Sequence, residues 1–285
     1  MNRQPLLLLV LLSLFAVSCS VPRYIYAPSI PVTPFFEEKG EAKVSGNYAS
    51  PGQGDNEKSS GNGFDLQAAY ALTSEVAITA SFSQRREKEA YSYMEDRLYD
   101  IFDSSVINYR RQMFEAGIGY VAPIDRMKTI YMGAYAGFGG GKLAILDQGL
   151  DNNSSGYSRI YENRLLKWYF QPVFNMHAGR YFRFSLAWRF SFVRYGSPRT
   201  SYTEEELKYY DFDQIRKKTL LFSEPTTQFQ FIIPDLEWLR LDGGLVFCSD
   251  PHKSSRLKAR FLTPFVGLSF HVPSFSRRQK KEDRF

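Results

Sequence analysis

From about residue 41 to residue 272, apolar side chains recur at every second position for a strand's length, then give way to a brief turn or a long polar stretch in alternation. The run Phe182, Phe184, Leu186, Trp188, Phe190 and Phe192 is the clearest instance, with Arg183, Ser185, Ala187, Arg189 and Ser191 between them. Successive side chains of a strand point to opposite faces, so such a segment divides an oily surface from a polar one. A membrane-spanning barrel needs a wall of that kind. Strands are predicted near 41–50, 62–72, 75–84, 109–122, 128–140, 163–177, 182–194, 218–233, 238–248 and 258–272. The fold class they predict is all-β, an up-and-down antiparallel transmembrane β-barrel of about ten strands over residues 40–272.

The connections fall into two classes. Residues 73–74, 123–127, 178–181 and 234–237 are short, whereas 51–61, 85–108, 141–162, 195–217 and 249–257 are long and polar. Brief periplasmic turns alternating with extended outer loops give this rhythm. Three prolines, Pro172, Pro225 and Pro264, fall inside predicted strands, where each removes a ladder donor. Bulges are the expected remedy, and the apolar parity near Pro225 changes from Leu220 and Phe222 to Phe229, Phe231 and Ile233 as a bulge would require.

Alternation does not say which face points inward, because a lipocalin-like soluble barrel would invert it. Composition decides. The polar face is mostly Gly, Ala, Ser, Thr and Gln with scattered charges, unlike the Lys- and Glu-dense exterior of a soluble barrel, and so is read as the lumen. Its polar residues are Asp65, Gln67, Glu115, Gln171, Asn175, Arg183, Arg189, Gln228, Gln230, Arg240 and Asp242. Acids and bases are comparable in number, which suits a salt-bridged filling, since buried charges must be paired. A ten-stranded barrel is barely wider than the eight-stranded kind that side chains fill, so an open pore is not expected.

The chain opens with Arg3, an apolar stretch from Leu6 to Val17, and small residues before Cys19, which is an export signal over residues 1–18. The segment Ala16, Val17, Ser18, Cys19 resembles the lipobox of bacterial lipoproteins, with Ala16 where Leu is commonest. That resemblance implies acylation of Cys19 by chains such as palmitate; the other reading is an ordinary cut after Ser18. Residues 19–39 carry Pro22, Pro28, Pro31 and Pro34 and are expected to form an extended tether. An even strand number puts both barrel ends on the short-turn side, from which a lipid on Cys19 would reach the inner leaflet. Cys248 is the one other cysteine and reads as a small packing residue. The net charge is +6, half of it from the basic tail, residues 273–285. Export removes nucleic acid as a partner, and no nucleic-acid motif is present.

Near the end of the last strand, Gly267 is followed by Leu268, Ser269, Phe270, His271 and Val272. This resembles the C-terminal assembly signal of outer-membrane β-barrel proteins, with Phe270 and Val272 as its hydrophobic pair and Phe265 in place of the usual polar residue. The chain over residues 40–272 is similar to small outer-membrane barrel proteins of Gram-negative bacteria. The resemblance implies residence in the cell outer membrane, contact with its lipid, and insertion by the barrel-assembly machinery.

Few residues suggest chemistry. His252 stands between Asp250 and Ser254 in a long loop, a set that could serve nucleophilic catalysis only if the loop made the three converge, and that also reads as a turn. His177 and His271 lie near short-turn ends, and no metal-ligand spacing or cofactor motif appears. Gly139, Gly140 and Gly141 lack the strand-to-helix setting of a phosphate loop. The stretch 85–103, with Tyr91, Tyr93 and Tyr99, and the stretch 201–212, with Tyr202, Tyr209 and Tyr210, mix rings with charges. That mixture suits a protein or glycan partner, or anchoring among headgroups. The expectation is therefore an outer-membrane barrel with a filled polar lumen and a structural or binding role through its loops, no catalytic residue being assigned. The alternatives are a membrane-embedded hydrolase at the outer mouth and a lipid-tethered periplasmic lipocalin-like binding protein.

Overall fold

The computed structural model describes residues 22–50, 59–92, 104–150, 155–249 and 256–274. The signal segment, Cys19, Asp250, His252, Ser254, Tyr93, Tyr99 and the tail beyond residue 274 lie outside them. A short strand β1 (Arg23–Tyr26) precedes β2 (Ala42–Ala49), β3 (Ser59–Ala71), β4 (Val76–Ser92), β5 (Ser104–Pro123), β6 (Ile130–Leu150), β7 (Gly156–Ala178) and β8 (Phe182–Tyr195). Then come β9 (Arg199–Thr200), helices α1 (Glu204–Tyr209) and α2 (Phe212–Ile215), β10 (Thr219–Ile232), β11 (Leu239–Phe247), β12 (Leu257–Ala259) and β13 (Leu262–Val272). Ten of the strands, all but β1, β9 and β12, pair antiparallel with their neighbours, and β13 returns to β2 to close the ring. Closure leaves the ten-stranded ring without a first or last strand.

The loops of the β4–β7 side are shorter than their sequences suggest. Residues 85–92, 104–108, 141–150 and 156–162 continue the strands instead. In residues 85–89, Arg85, Glu87 and Glu89 point inward while Arg86 and Lys88 point out. Both faces are polar there, so the period of two leaves no hydrophobic trace.

Polarity changes on both faces of the wall toward the loop end. Through the lower barrel the outward residues are Phe182, Leu186, Trp188 and Phe192 on β8, with equivalents on every other barrel strand, and the inward ones are polar. Higher up, the outward positions become Arg86, Arg110, Lys142, Arg164 and Arg194, each exposed. The inward ones there include Tyr109, Leu143, Ile145, Val193, Tyr195 and Phe222, in one buried apolar cluster beside the buried charges Arg85, Glu87, Glu89, Arg111 and Asp147. An oily exterior over a polar interior suits lipid, and a charged exterior suits water. The row of long cations sits where their heads can leave the apolar band.

This explains strand β10, where no bulge exists. Register with β8 runs unbroken through Pro225, which faces Trp188. Leu220 and Phe222 point into the apolar upper interior, and Phe229 and Phe231 point out of the lower wall. The parity change is a change of environment on both faces. The prolines are accommodated differently: Pro225 lies one residue past the end of the β10–β11 ladder, Pro264 one residue past the end of the β13–β2 ladder, and Pro172 in a gap of the β7–β8 ladder. The register on either side of that gap is the same.

Inside the lower wall, tyrosines lie flat on glycines. A Cβ on Gly119 would stand 2.1 Å from Cδ1 of Tyr135. Gly119→Ala should therefore lower stability by about 1–3 kcal/mol through overpacking. Gly46→Ala, whose nearest neighbour would be Cδ2 of Leu66 at 3.7 Å, should be nearly neutral. The temperature at which the folded band converts to the slower unfolded band in electrophoresis reports both, and equal values would reject the packing argument.

Candidate functional site

The Pro-rich segment is not an external tether. Residues 22–35 are buried, except for half-buried Ala27, and they run through the lumen. Four prolines suit this course, because each lacks an N–H that the lumen would otherwise have to satisfy.

At the short-turn end, Glu37 pairs with Arg183 at 3.2 Å, and the Arg183 guanidinium lies 5.4 Å from the ring centre of Phe35. Asn175 donates to the Pro34 carbonyl at 3.5 Å, Gln171 donates to the Val32 carbonyl at 3.1 Å, and the Thr33 hydroxyl donates to Gln228. Ile30 is held on both sides: its N–H donates to Asp65 Oδ2 at 2.8 Å, and its carbonyl accepts from Gln67 Nε2 at 2.7 Å. Asp65 also pairs with Arg85 through Nη2 at 2.9 Å.

A charged cluster lies next to Ser29. Glu115 Oε1 accepts from Lys167 Nζ at 2.7 Å and from Ser29 Oγ at 2.9 Å. Arg189 donates to Glu115 Oε2 at 3.1 Å, to Ser29 at 3.0 Å and to Gln171 at 2.9 Å. Glu224 follows, 3.7 Å from Lys167, and accepts from the Tyr26 hydroxyl at 2.7 Å. Gln230, Arg240 and Asp242 form a separate group nearer the short turns, with Arg240 donating to Gln230 at 2.9 Å, Gln230 to Asp242 at 2.6 Å, and Lys43 completing it at 3.0 Å. Every lumen residue expected from the sequence faces inward and is buried.

The upper end is closed by side chains that the sequence alone assigns elsewhere. Tyr195 donates to the Ile25 carbonyl at 2.9 Å, and Arg260 stacks on Tyr24 at 3.7 Å while pairing with Glu87 and Glu89. Arg23 pairs with Asp147 at 2.6 Å and lies 4.3 Å from the ring centre of Tyr210. The stretch 201–212 folds partly over the mouth. Its Tyr202 and Phe212, with Ile215, are buried over the mouth, Phe212 stacking on Tyr161 at 4.2 Å. Thr203 and Glu206 form a capping box that starts α1. Tyr202 donates to Asp147 at 3.0 Å, and burial, then the Asp147 charge, push its phenol up, so it remains a donor. Tyr209 is exposed, and Tyr91 turns to Glu89.

The sequence-derived set lacks Arg23, Lys43, Arg85, Glu87, Glu89, Arg111, Asp147, Lys167, Glu224 and Arg260, all of them buried. Lys167 was legible, since it alternates with Leu166 and Trp168. Glu224 was obscured by Pro225, and Asp147 and Arg23 lay in segments read as loop and tether. Eight carboxylates and nine Lys or Arg side chains are buried among the described residues, so the interior is close to neutral. His177 and His271 pack separately, 5.5 Å from Phe35 and 6.4 Å from Phe36 between ring centres. Among the described residues no three His, Cys, Asp or Glu gather as metal ligands.

No family model and no curated protein sequence matches the chain. Solved barrels are similar in outline. The translocator domain of the autotransporter NalP from Neisseria meningitidis is 9% identical at a TM-score of 0.48, over 81% of this chain and 88% of that one. The outer membrane protease OmpT from Escherichia coli is 7% identical at 0.45, over 84% and 99%. Ail, the attachment invasion locus protein of Yersinia pestis, solved with the heparin analogue sucrose octasulfate, is 13% identical at 0.34, over 82% and 99%. The fold of this chain rests on its own strand register, and no activity is carried across from these proteins.

Proposed function

We propose that this chain is an integral outer-membrane barrel whose lumen is closed by its own N-terminal segment, and that it acts as a structural or binding element through its loop-side face. The observation that carries this reading is the change of polarity along the wall. One section of wall is oily outside and polar inside, and toward the loops the outer positions turn cationic while an apolar cluster joins the ion pairs inside, as a barrel standing partly in lipid and partly in water requires. A lipocalin-like protein would carry a polar exterior along its whole length. Closure is supported by the buried, hydrogen-bonded course of residues 22–35. Outer-membrane lipid and the barrel-assembly machinery are the partners such a wall needs. A protein or glycan partner would meet the charged upper exterior and the exposed Tyr209. Acylation of Cys19 belongs to the same reading as a second attachment to the membrane.

The test is the Cys19→Ala variant in its native membrane. It is expected to stay in the membrane at alkaline pH and to keep a heat-dependent shift in electrophoresis. Release into the soluble fraction would mean that lipid alone holds the protein, and the reading would fall.

A further inference from the structure

The direction in which the N-terminal segment threads the barrel is fixed at both ends. At the lower end, Glu37 pairs with Arg183, the second residue of β8 after the tight turn at 179–181. Nearby, the Gly40 N–H donates at 2.9 Å to the carbonyl of Ala71, the last residue of β3. At the upper end, Arg23 reaches Asp147, three residues from the end of β6, and its N–H donates to the Arg256 carbonyl at 2.6 Å. Strand β1 runs parallel to β12, which lies between the upper end of β11 and the descending strand β13, so β1 also descends. Residues 23–36 are long enough for the crossing, since about 3.1 Å per residue of extended chain gives roughly 43 Å.

We infer that the barrel delivers its own N-terminal end to the loop-side face, so that the chain ahead of residue 22 lies across the membrane from the C-terminus and the short turns. The even strand count places both ends of the barrel domain together, but the threaded segment returns the N-terminal end to the opposite side. An acyl group on Cys19 would then be tied about 10 Å from Pro22 at most, because three residues of chain reach no farther. It would enter the leaflet on the loop side, not the inner leaflet. The segment is held along its length, Arg23 beneath Tyr210 and beside Asp147, and Ile30 between Asp65 and Gln67. The loop side is the cell exterior only on the membrane reading above, whereas the relation between N-terminus and loops stands apart from it.

Three full-length variants test this, each with one epitope tag: after Ser20, within residues 151–154, or after Phe285. Antibody binding to intact cells and to cells with a permeabilised outer membrane is compared. The tags after Ser20 and in the loop should bind on intact cells, and the tag after Phe285 only after permeabilisation. A tag after Ser20 that behaves like the C-terminal tag overturns the inference. If the loop tag is hidden and the C-terminal tag accessible, the assumed orientation falls, and the inference is still decided by which of them the Ser20 tag follows. Should the Ser20 tag prevent folding, Val21→Cys in a Cys19→Ala background replaces it, read with a membrane-impermeant maleimide. Cys248 is buried and gives little background. Labelling on intact cells comparable to that of a cysteine placed in the 151–154 loop supports the inference, and labelling only after permeabilisation, with the loop cysteine labelled on intact cells, overturns it.

Discussion

Glu115→Ala should cost the barrel about 3–5 kcal/mol, the range for breaking a buried ion pair from one side. The Glu115 carboxylate faces two cations, Lys167 at 2.7 Å and Arg189 at 3.1 Å. Both cations are fully buried, so neither can turn to water when the carboxylate is lost. Glu224 would be left to serve both from 3.7 and 3.9 Å while still accepting from Tyr26. Ser29 would lose an acceptor, loosening the threaded segment at its middle. Glu115→Gln, which keeps the shape but not the charge, should fall between wild type and Ala. The exposed pair Arg180 and Glu237, 3.3 Å apart, supplies the contrast: Arg180→Ala should change stability by no more than about 1 kcal/mol. The midpoint temperature of the electrophoretic shift measures all three. A Glu115→Ala barrel as robust as Arg180→Ala would show that water reaches this cluster and that the lumen is not packed.

How much of this was legible depends on whether polarity contrasts across a strand. Where one face meets lipid and the other a polar lumen, as in β8, the alternation of Phe, Leu and Trp with Arg and Ser marks both the strand and its orientation. All ten barrel strands lie close to their expected places for that reason. The contrast fades in residues 85–89, where Arg and Glu face inward and Arg and Lys outward, and in residues 141–147, where Leu143 and Ile145 point inward. The same inversion made Leu220 and Phe222 look out of phase with Phe229. The threaded segment was illegible for another reason. A Pro-rich stretch with no periodicity satisfies its backbone through Asp65, Gln67, Gln171 and Tyr195, which are far away in sequence. Nothing local distinguishes such a segment from one solvated by water. The near balance of charge on the inward face was the available hint that something had to fill the lumen, but it does not identify the N-terminal segment as what fills it.

Removing residues 23–36 while keeping the export signal and Cys19 should turn a silent barrel into a conducting one. In planar bilayers the full chain is expected to show no steady conductance, because the segment fills the lumen, its backbone bonding Asp65, Gln67 and Gln171 and its Ser29 and Thr33 hydroxyls bonding Glu115 and Gln228. Deletion returns Asp65, Glu115, Gln171, Arg189 and Gln228 to water, giving a hydrated, polar channel of the kind that conducts ions. Stability should change less than this suggests. Each fully buried residue such as Ile25 or Ile30 forfeits about 1.5–3 kcal/mol of burial when removed. The deletion also removes an ordering cost of about 1–2 kcal/mol per residue, and prolines reduce that cost because the unfolded chain is already restricted. Conductance is thus the sharper reading. Discrete openings in the shortened chain alone identify the segment as the plug. Silence in both chains would mean that the wall's own side chains fill the lumen, and openings in the full chain would mean that the segment leaves it often enough for ions to pass.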